Sequence, residues 1–193
     1  MCATATALEL VVETDAHEGP VYAADEDALY FTSVRRDRVS IKRLALADRS
    51  VSVVREDANN ANGMTLDRDR RLLVCEQGTL ETPARIARLD RFTGALGTVV
   101  EGLSSPNDVV VARDGAIWFT DPTYGWLQGF RPPPETPDRV YRYDPHSGIS
   151  PSSPRRSTSR TGLPSPPTSA FSTWETTEPL TVSSPSTSRT AAA

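Results

Sequence analysis

Five residues that could do chemistry sit in or beside three short polar loops: Glu18, Asn62, Asn107, Asp108 and Asp121. Each offers oxygen, as a carboxylate or a carboxamide, and no cluster of Cys or His stands beside them. An oxygen-only set suits a hard cation, Ca²⁺ or Mg²⁺, rather than zinc bound through thiolate and imidazole. The competing reading is that Asp, Asn and Glu in loops cap turns and face water. That reading serves any one of these residues, and it weakens where the same types recur at equivalent places in a repeat.

The chain has such a repeat. Val21–Thr32 (VYAADEDALYFT), Met64–Cys75 (MTLDRDRRLLVC) and Val109–Thr120 (VVVARDGAIWFT) align without a gap, their starts 43 and 45 residues apart. A period of that size with only strand patterns inside it is the signature of a propeller blade. The sequence therefore predicts an all-β fold of antiparallel four-stranded meanders. Turns at residues 25–27, 67–70 and 113–115 join the first two strands of each unit, the last with the Asp-Gly pair that favours a hairpin. A third strand opens on Arg38, Arg85 and Arg139, and a fourth is expected over Val51–Val54 and Gly97–Val100. Because the second strand returns antiparallel to the first, the residues leading into one and leaving the other share an end of the blade. That end gathers Glu18, Gly19 and Pro20, then Asn62, Gly63 and Glu76, then Asn107, Asp108 and Asp121. If the innermost strands pack radially, these loops converge on the central axis.

The third unit breaks off before its fourth strand, where Ile149-Ser-Pro-Ser-Ser-Pro stands instead. Residues 150–193 hold 12 Ser, 9 Thr and 7 Pro and no Asp, Asn, Gln, His or Lys, so the chain reads as residues 1–149 joined to a tail of another composition. Three accounts of the tail stand side by side: a low-complexity disordered linker, an out-of-frame or truncated C-terminus, and a half-propeller that self-associates through its open blade edges.

Charge narrows the partners. The net charge is −4 overall and −6 over residues 1–149, without the clustered basic face that nucleic acid requires. No apolar run approaches the roughly 20 residues of a membrane span, and the first residues lack a basic region followed by an apolar one. The expectation is a cytoplasmic protein with no membrane or nucleic-acid partner. Cys2 and Cys75 make no disulfide framework, and Cys75 stands where a buried thiol is ordinary.

Three stretches carry a resemblance. His17-Glu-Gly-Pro-Val-Tyr22, Asn62-Gly-Met-Thr-Leu-Asp67 with Cys75-Glu-Gln-Gly78, and above all Ser105 to Gly125 (SPNDVVVARDGAIWFTDPTYG) resemble the senescence marker protein and gluconolactonase family, over about the first half of a member. The resemblance implies a six-bladed β-propeller with a divalent cation in its central channel, usually Ca²⁺, with Mg²⁺, Mn²⁺ or Zn²⁺ as alternatives. It implies hydrolysis of a small-molecule lactone or related ester, with phosphotriester or aryl-ester hydrolysis as a neighbouring possibility and a non-catalytic propeller fragment or binding module as another. By motif, Glu18 and Asn107 are similar to metal ligands, and Asn62, Asp108 and Asp121 to residues around metal or substrate. The family's usual base, an Asp in the second half of the propeller, has no counterpart in a tail whose only carboxylates are Glu175 and Glu178, so the catalytic residue is unknown. Further ligands expected after residue 149 are missing too, and the chain is expected to bind metal poorly. His17 and His146 read as loop residues, and Arg85 and Arg139 as structural positions rather than substrate clamps. Residues 128–135 could form a lid or a stiff solvent loop.

Overall fold

Alternating strands punctuated by left-handed turn residues build the molecule. The computed structural model describes residues 8–35, 38–134 and 137–147. All belong to the first of two units, Met1–Arg155 and Arg156–Ala193, into which the chain divides. The first sheet contains β1 (Ala16–Ala23), β2 (Ala28–Arg35), β3 (Arg38–Ala45) and β4 (Val51–Arg55), and the second contains β5 (Ala61–Leu66), β6 (Leu72–Glu76), β7 (Ala84–Leu89) and β8 (Leu96–Leu103). The third contains β9 (Val109–Val111), β10 (Ile117–Asp121) and β11 (Arg139–Tyr143), with a short helix α1 (Tyr124–Leu127) between the last two. Every sheet is an antiparallel meander of consecutive strands. A fourth strand of the third sheet would fall after residue 147, outside the described residues.

Each first hairpin turns on a residue with positive φ at the same place in the repeat: Asp27 (46°), Arg70 (61°) and Gly115 (90°). Only the last is the residue that takes this conformation without steric cost. The other two hold it within turns closed by backbone bonds, Glu26 N–H to Ala23 at 3.1 Å and Arg70 N–H to Asp67 at 3.0 Å.

The sheets stack as blades, and two apolar cores lie between them. Tyr30 and Ile41 of the first blade meet Met64, Leu72, Val74 and Leu89 of the second. Leu73, Cys75, Ile86 and Val100, on the second blade's other face, meet Val109, Ile117 and Phe119 of the third. This explains why β6 is buried at all five positions while β10 alternates. A strand with neighbours on both faces loses its polar side, whereas a strand covered on one face keeps the period of two. The first strands β1, β5 and β9 pack side by side as the inner rank.

The register corrects one part of the sequence alignment. Thr32, Cys75 and Thr120 stand opposite Ile41, Ile86 and Val140. Ser40 is thus the counterpart of Arg85 and Arg139, and Arg38 lies two residues away. The arginine that truly recurs is Arg43, Arg88 and Arg142, opposite Tyr30, Leu73 and Trp118. Each reaches a carboxylate beside its own blade's first turn: Arg43 to Glu26 at 3.0 Å, Arg88 to Asp67 at 2.9 Å and Arg142 to Asp114 at 3.1 Å. Between the first two blades, buried Arg91 donates to Asp25 at 2.6 Å, to Glu26 and to the carbonyl of Arg70 at 2.6 Å. These ion pairs fasten the end of the blades opposite Glu18 and Asn107.

Candidate functional site

A bulge opens the inner strand of each blade. In β1 the pairing slips twice, between Ala16 and Glu18 and between Glu18 and Val21, and in β5 once, between Ala61 and Met64. At the start of the third blade, Asn107 N–H donates to the Thr120 carbonyl, and Thr120 N–H donates to the Asp108 carbonyl, both at 3.0 Å. Two residues therefore face one, which is the definition of a bulge and a common way to re-aim a side chain near a site. Hydroxyls support the outer two: Thr32 donates to the Glu18 carbonyl, and Asp108 N–H donates to Thr120 Oγ1, both at 3.0 Å.

The bulges touch from blade to blade. Gly63 N–H donates to the Asn107 carbonyl at 2.8 Å. A Cβ on Gly63 would lie 2.4 Å from that carbonyl oxygen and 2.7 Å from Asp108 Oδ1, and one on Gly19 would lie 2.4 Å from the Asn62 carbonyl oxygen. Glycine follows Glu18 and Asn62 because main chain from the next blade occupies the space. Glu18, Asn62 and Asn107 thus occupy equivalent positions on three consecutive, touching bulges.

The sequence candidates then separate into two groups. The side chains of Glu18, Asn62, Asn107 and Asp108 make no hydrogen bond or ion pair with any described residue, and Glu18 and Asp108 are exposed. Asp121 is fully buried and engaged. Its carboxylate accepts the amide of Ser104 at 2.9 Å and that of Ser105 at 2.7 Å. The loop that delivers Asn107 is therefore pinned from beneath, and Ser105 Oγ extends the network by accepting Gly125 N–H at 3.1 Å. Glu76, its counterpart in the second blade, is equally buried, and accepts from Arg85 at 2.7 Å and Asn59 at 3.1 Å. Arg85 is thus paired with Glu76 of its own blade. Cys75 lies between these layers. Burial pushes its thiol well above the usual value, and the charges of Asp108 and Asp121 push it the same way. It is a neutral, apolar neighbour of the site.

Sequence reasoning missed Arg131. Its guanidinium donates to four main-chain carbonyls, Thr79 at 2.7 Å, Thr82 at 2.8 Å, Ser104 at 2.9 Å and Leu103 at 3.4 Å. The segment read as either a lid or a stiff loop is thereby tied, at Arg131, to the second blade and to the loop carrying Asn107. A single arginine among prolines carries no sequence signal for this, since its partners are main chain.

Oxygen is the donor type on every free candidate, which matches a hard cation. The number does not suffice: among the described residues no group of three or more His, Cys, Asp or Glu could hold a metal ion. Among the same residues no helix is long and apolar enough to cross a membrane.

Known proteins are similar to this chain in sequence and fold. A gluconolactonase from Zymomonas mobilis is 29% identical over 126 residues, covering 56% of this chain and 33% of that protein. The structure of a gluconolactonase from Xanthomonas campestris superposes with a TM-score of 0.56 at 32% identity, over 69% of this chain and 45% of its own. A second X-ray structure, assigned to the gluconolactonases, gives 0.57 at 32% identity over 69% of this chain and 47% of its own. TolB from Acinetobacter baumannii, at 18% identity and a TM-score of 0.55, shares the fold alone. The chain spans a third of the first relative and less than half of the two gluconolactonase structures. Residues 16–163 match the profile described as the SMP-30/gluconolactonase/LRE-like region, and the chain belongs to that family.

Proposed function

We propose that residues 16–147 are one part of a divalent-cation site that hydrolyses a sugar lactone or a related ester, with Glu18 and Asn107 as two of its oxygen ligands. The observation that supports this reading is the line of touching bulges, which sets unengaged carboxylate and carboxamide side chains at equivalent points of three blades. Asn62 and Asp108 stand beside the ligands, toward substrate, and Asp121 positions the Asn107 loop through the Ser104 and Ser105 amides. A bound cation, Ca²⁺ by family, would polarise the lactone carbonyl and face the developing oxyanion. The residues of this chain would hold and orient; none is assigned as the base.

Two ligands are few for a cation that takes about 6 to 8 oxygens, so the chain alone is expected to bind Ca²⁺ weakly and to turn over slowly. The same count favours a second reading, a propeller fragment without catalysis.

Thermal unfolding of the chain with and without Ca²⁺, together with turnover of a simple aldonolactone, separates the two. Binding to the folded state raises the melting temperature by mass action. The reading expects a small calcium-dependent rise that Glu18→Gln abolishes while leaving the calcium-free melting temperature unchanged. Neither a calcium shift nor turnover leaves only the fragment.

A further inference from the structure

The outer face of the third blade carries half of an interface that the molecule has already made twice. Val110, Trp118 and Val140 are 59%, 40% and 65% exposed on that face, with Arg142 lying over the Trp118 ring. By register, Trp118 and Val140 are the counterparts of Leu73 and Ile86 in the second blade and of Tyr30 and Ile41 in the first. Those four are buried, each pair by the blade that follows. What buries them is also a repeat: Leu72 and Val74 from the second blade, Ile117 and Phe119 from the third. The first blade has its own copy of that complementary surface in Leu29 and Phe31. With Pro20 and Leu44 they line a groove of about 280 Å³ beside Val11 and Val12.

One chain therefore bears both halves of a blade-to-blade contact, at opposite ends of its arc. The arc is also about half a ring, since the chain aligns with 45% and 47% of two gluconolactonase chains. We infer that two copies close into one ring, the third blade of each stacking on the first blade of the other around a two-fold axis. A contact of this head-to-tail kind forms either a closed ring or an open polymer, and a half-ring arc closes at two. To stack, residues 8–15, held along the first blade by Asp15 to Lys42 at 2.5 and 2.8 Å, must give way from Leu29 and Phe31.

Closure changes the chemistry of the site, a step that rests on Glu18 and Asn107 being ligands as proposed above. Two Glu18 carboxylates and two Asn107 carboxamides then face one axis, doubling the protein ligands to a single cation. The stoichiometry becomes one Ca²⁺ per two chains.

Sedimentation equilibrium of the 193-residue chain without metal, followed by calorimetric titration with Ca²⁺, tests both steps. The expected result is a particle of twice the chain mass that takes up half an equivalent of Ca²⁺ per chain. Trp118→Glu and Val140→Lys, on an exposed face where folding should survive, give single chains with an unchanged circular dichroism spectrum and at least tenfold weaker calcium binding, although Glu18 and Asn107 are intact. A single chain at the highest soluble concentration, or an open polymer, overturns the pairing whatever the calcium affinity. A pair that takes up no Ca²⁺, or one ion per chain, overturns the shared site and leaves the pairing standing.

Discussion

The amide of Gly63 donates to the carbonyl of Asn107 across the boundary between two blades, at 2.8 Å. The bond requires the two backbones to approach so closely that no side chain fits at residue 63. Gly63→Ala should therefore cost about 1–3 kcal/mol, the range for forcing added volume into a packed site. Urea unfolding measures it. Gly97→Ala is the control, because a Cβ there meets nothing within 4 Å, and it should leave stability unchanged or slightly raised. Equal losses at both positions would refute the close-approach argument.

Glu76 and Arg85 make a different kind of test, since the carboxylate is 1% exposed and the guanidinium 25%. Removing the cation alone leaves a buried charge with Asn59 as its one remaining side-chain partner among the described residues. Arg85→Met should destabilise by about 3 kcal/mol or more, whereas the double change Glu76→Gln with Arg85→Met should recover most of that loss. Chemical denaturation of Arg85→Met, Glu76→Gln and the double variant gives the coupling directly. If Arg85 were a substrate clamp, Arg85→Met would spare stability and raise KM.

Arg131 is expected to act as a staple. Four carbonyls lose their donor in Arg131→Ala, and burial already lowers the guanidinium pKa. Stability should fall by about 2 kcal/mol, and limited proteolysis should begin within residues 128–134 before the blades are cut. Persistent resistance of that segment would show that proline stiffness alone holds it.

The ion pairs at the far end of the blades predict a pH effect. The Arg91 guanidinium, 2.6 Å away, holds the Asp25 carboxyl below its usual 3.8, against the opposing effect of burial. A lowered folded-state pKa stabilises fully above the unfolded value and less as pH falls through the folded one. The melting temperature should thus drop on acidification below about pH 4, and Asp25→Asn should flatten that drop while lowering stability at neutral pH. A variant that keeps the full acid sensitivity would assign it to other carboxylates.

Much of this fold was legible in the residues because blades repeat. The hairpins needed only local turn chemistry, so β9, β10 and the turn between them lie where the alignment put them. The third strand was harder. Its start depends on the length of the preceding loop, which differs in all three blades, and matching the strands on their opening arginines set Arg38 against Arg85 and Arg139, whose true counterpart is Ser40. The recurring arginine, Arg43 with Arg88 and Arg142, became visible only through cross-strand register. At the site, residue type and the shared end of the blades gathered Glu18, Asn62 and Asn107. The gapless alignment, however, sets Glu18 against Ala61 and Pro106. Their equivalence comes from the register, with Val21 opposite Tyr30 but Met64 opposite Val74 and Val109 opposite Phe119. Residue type and blade end could not separate Asp108, with its free carboxylate, from Asp121, whose oxygens are committed to two amides, because that difference lies in the path of the main chain at Ser104.

Glycine at residues 19 and 63 places the candidate donors in series. Each bulge rests on the backbone of the next, so a displacement at Asn107 is handed to Gly63, and one at Asn62 to Gly19. No donor can be retuned alone. A change of metal or substrate geometry would have to move two neighbouring loops together, which makes the inner rim a mechanical linkage whose parts evolve, or can be engineered, only in pairs.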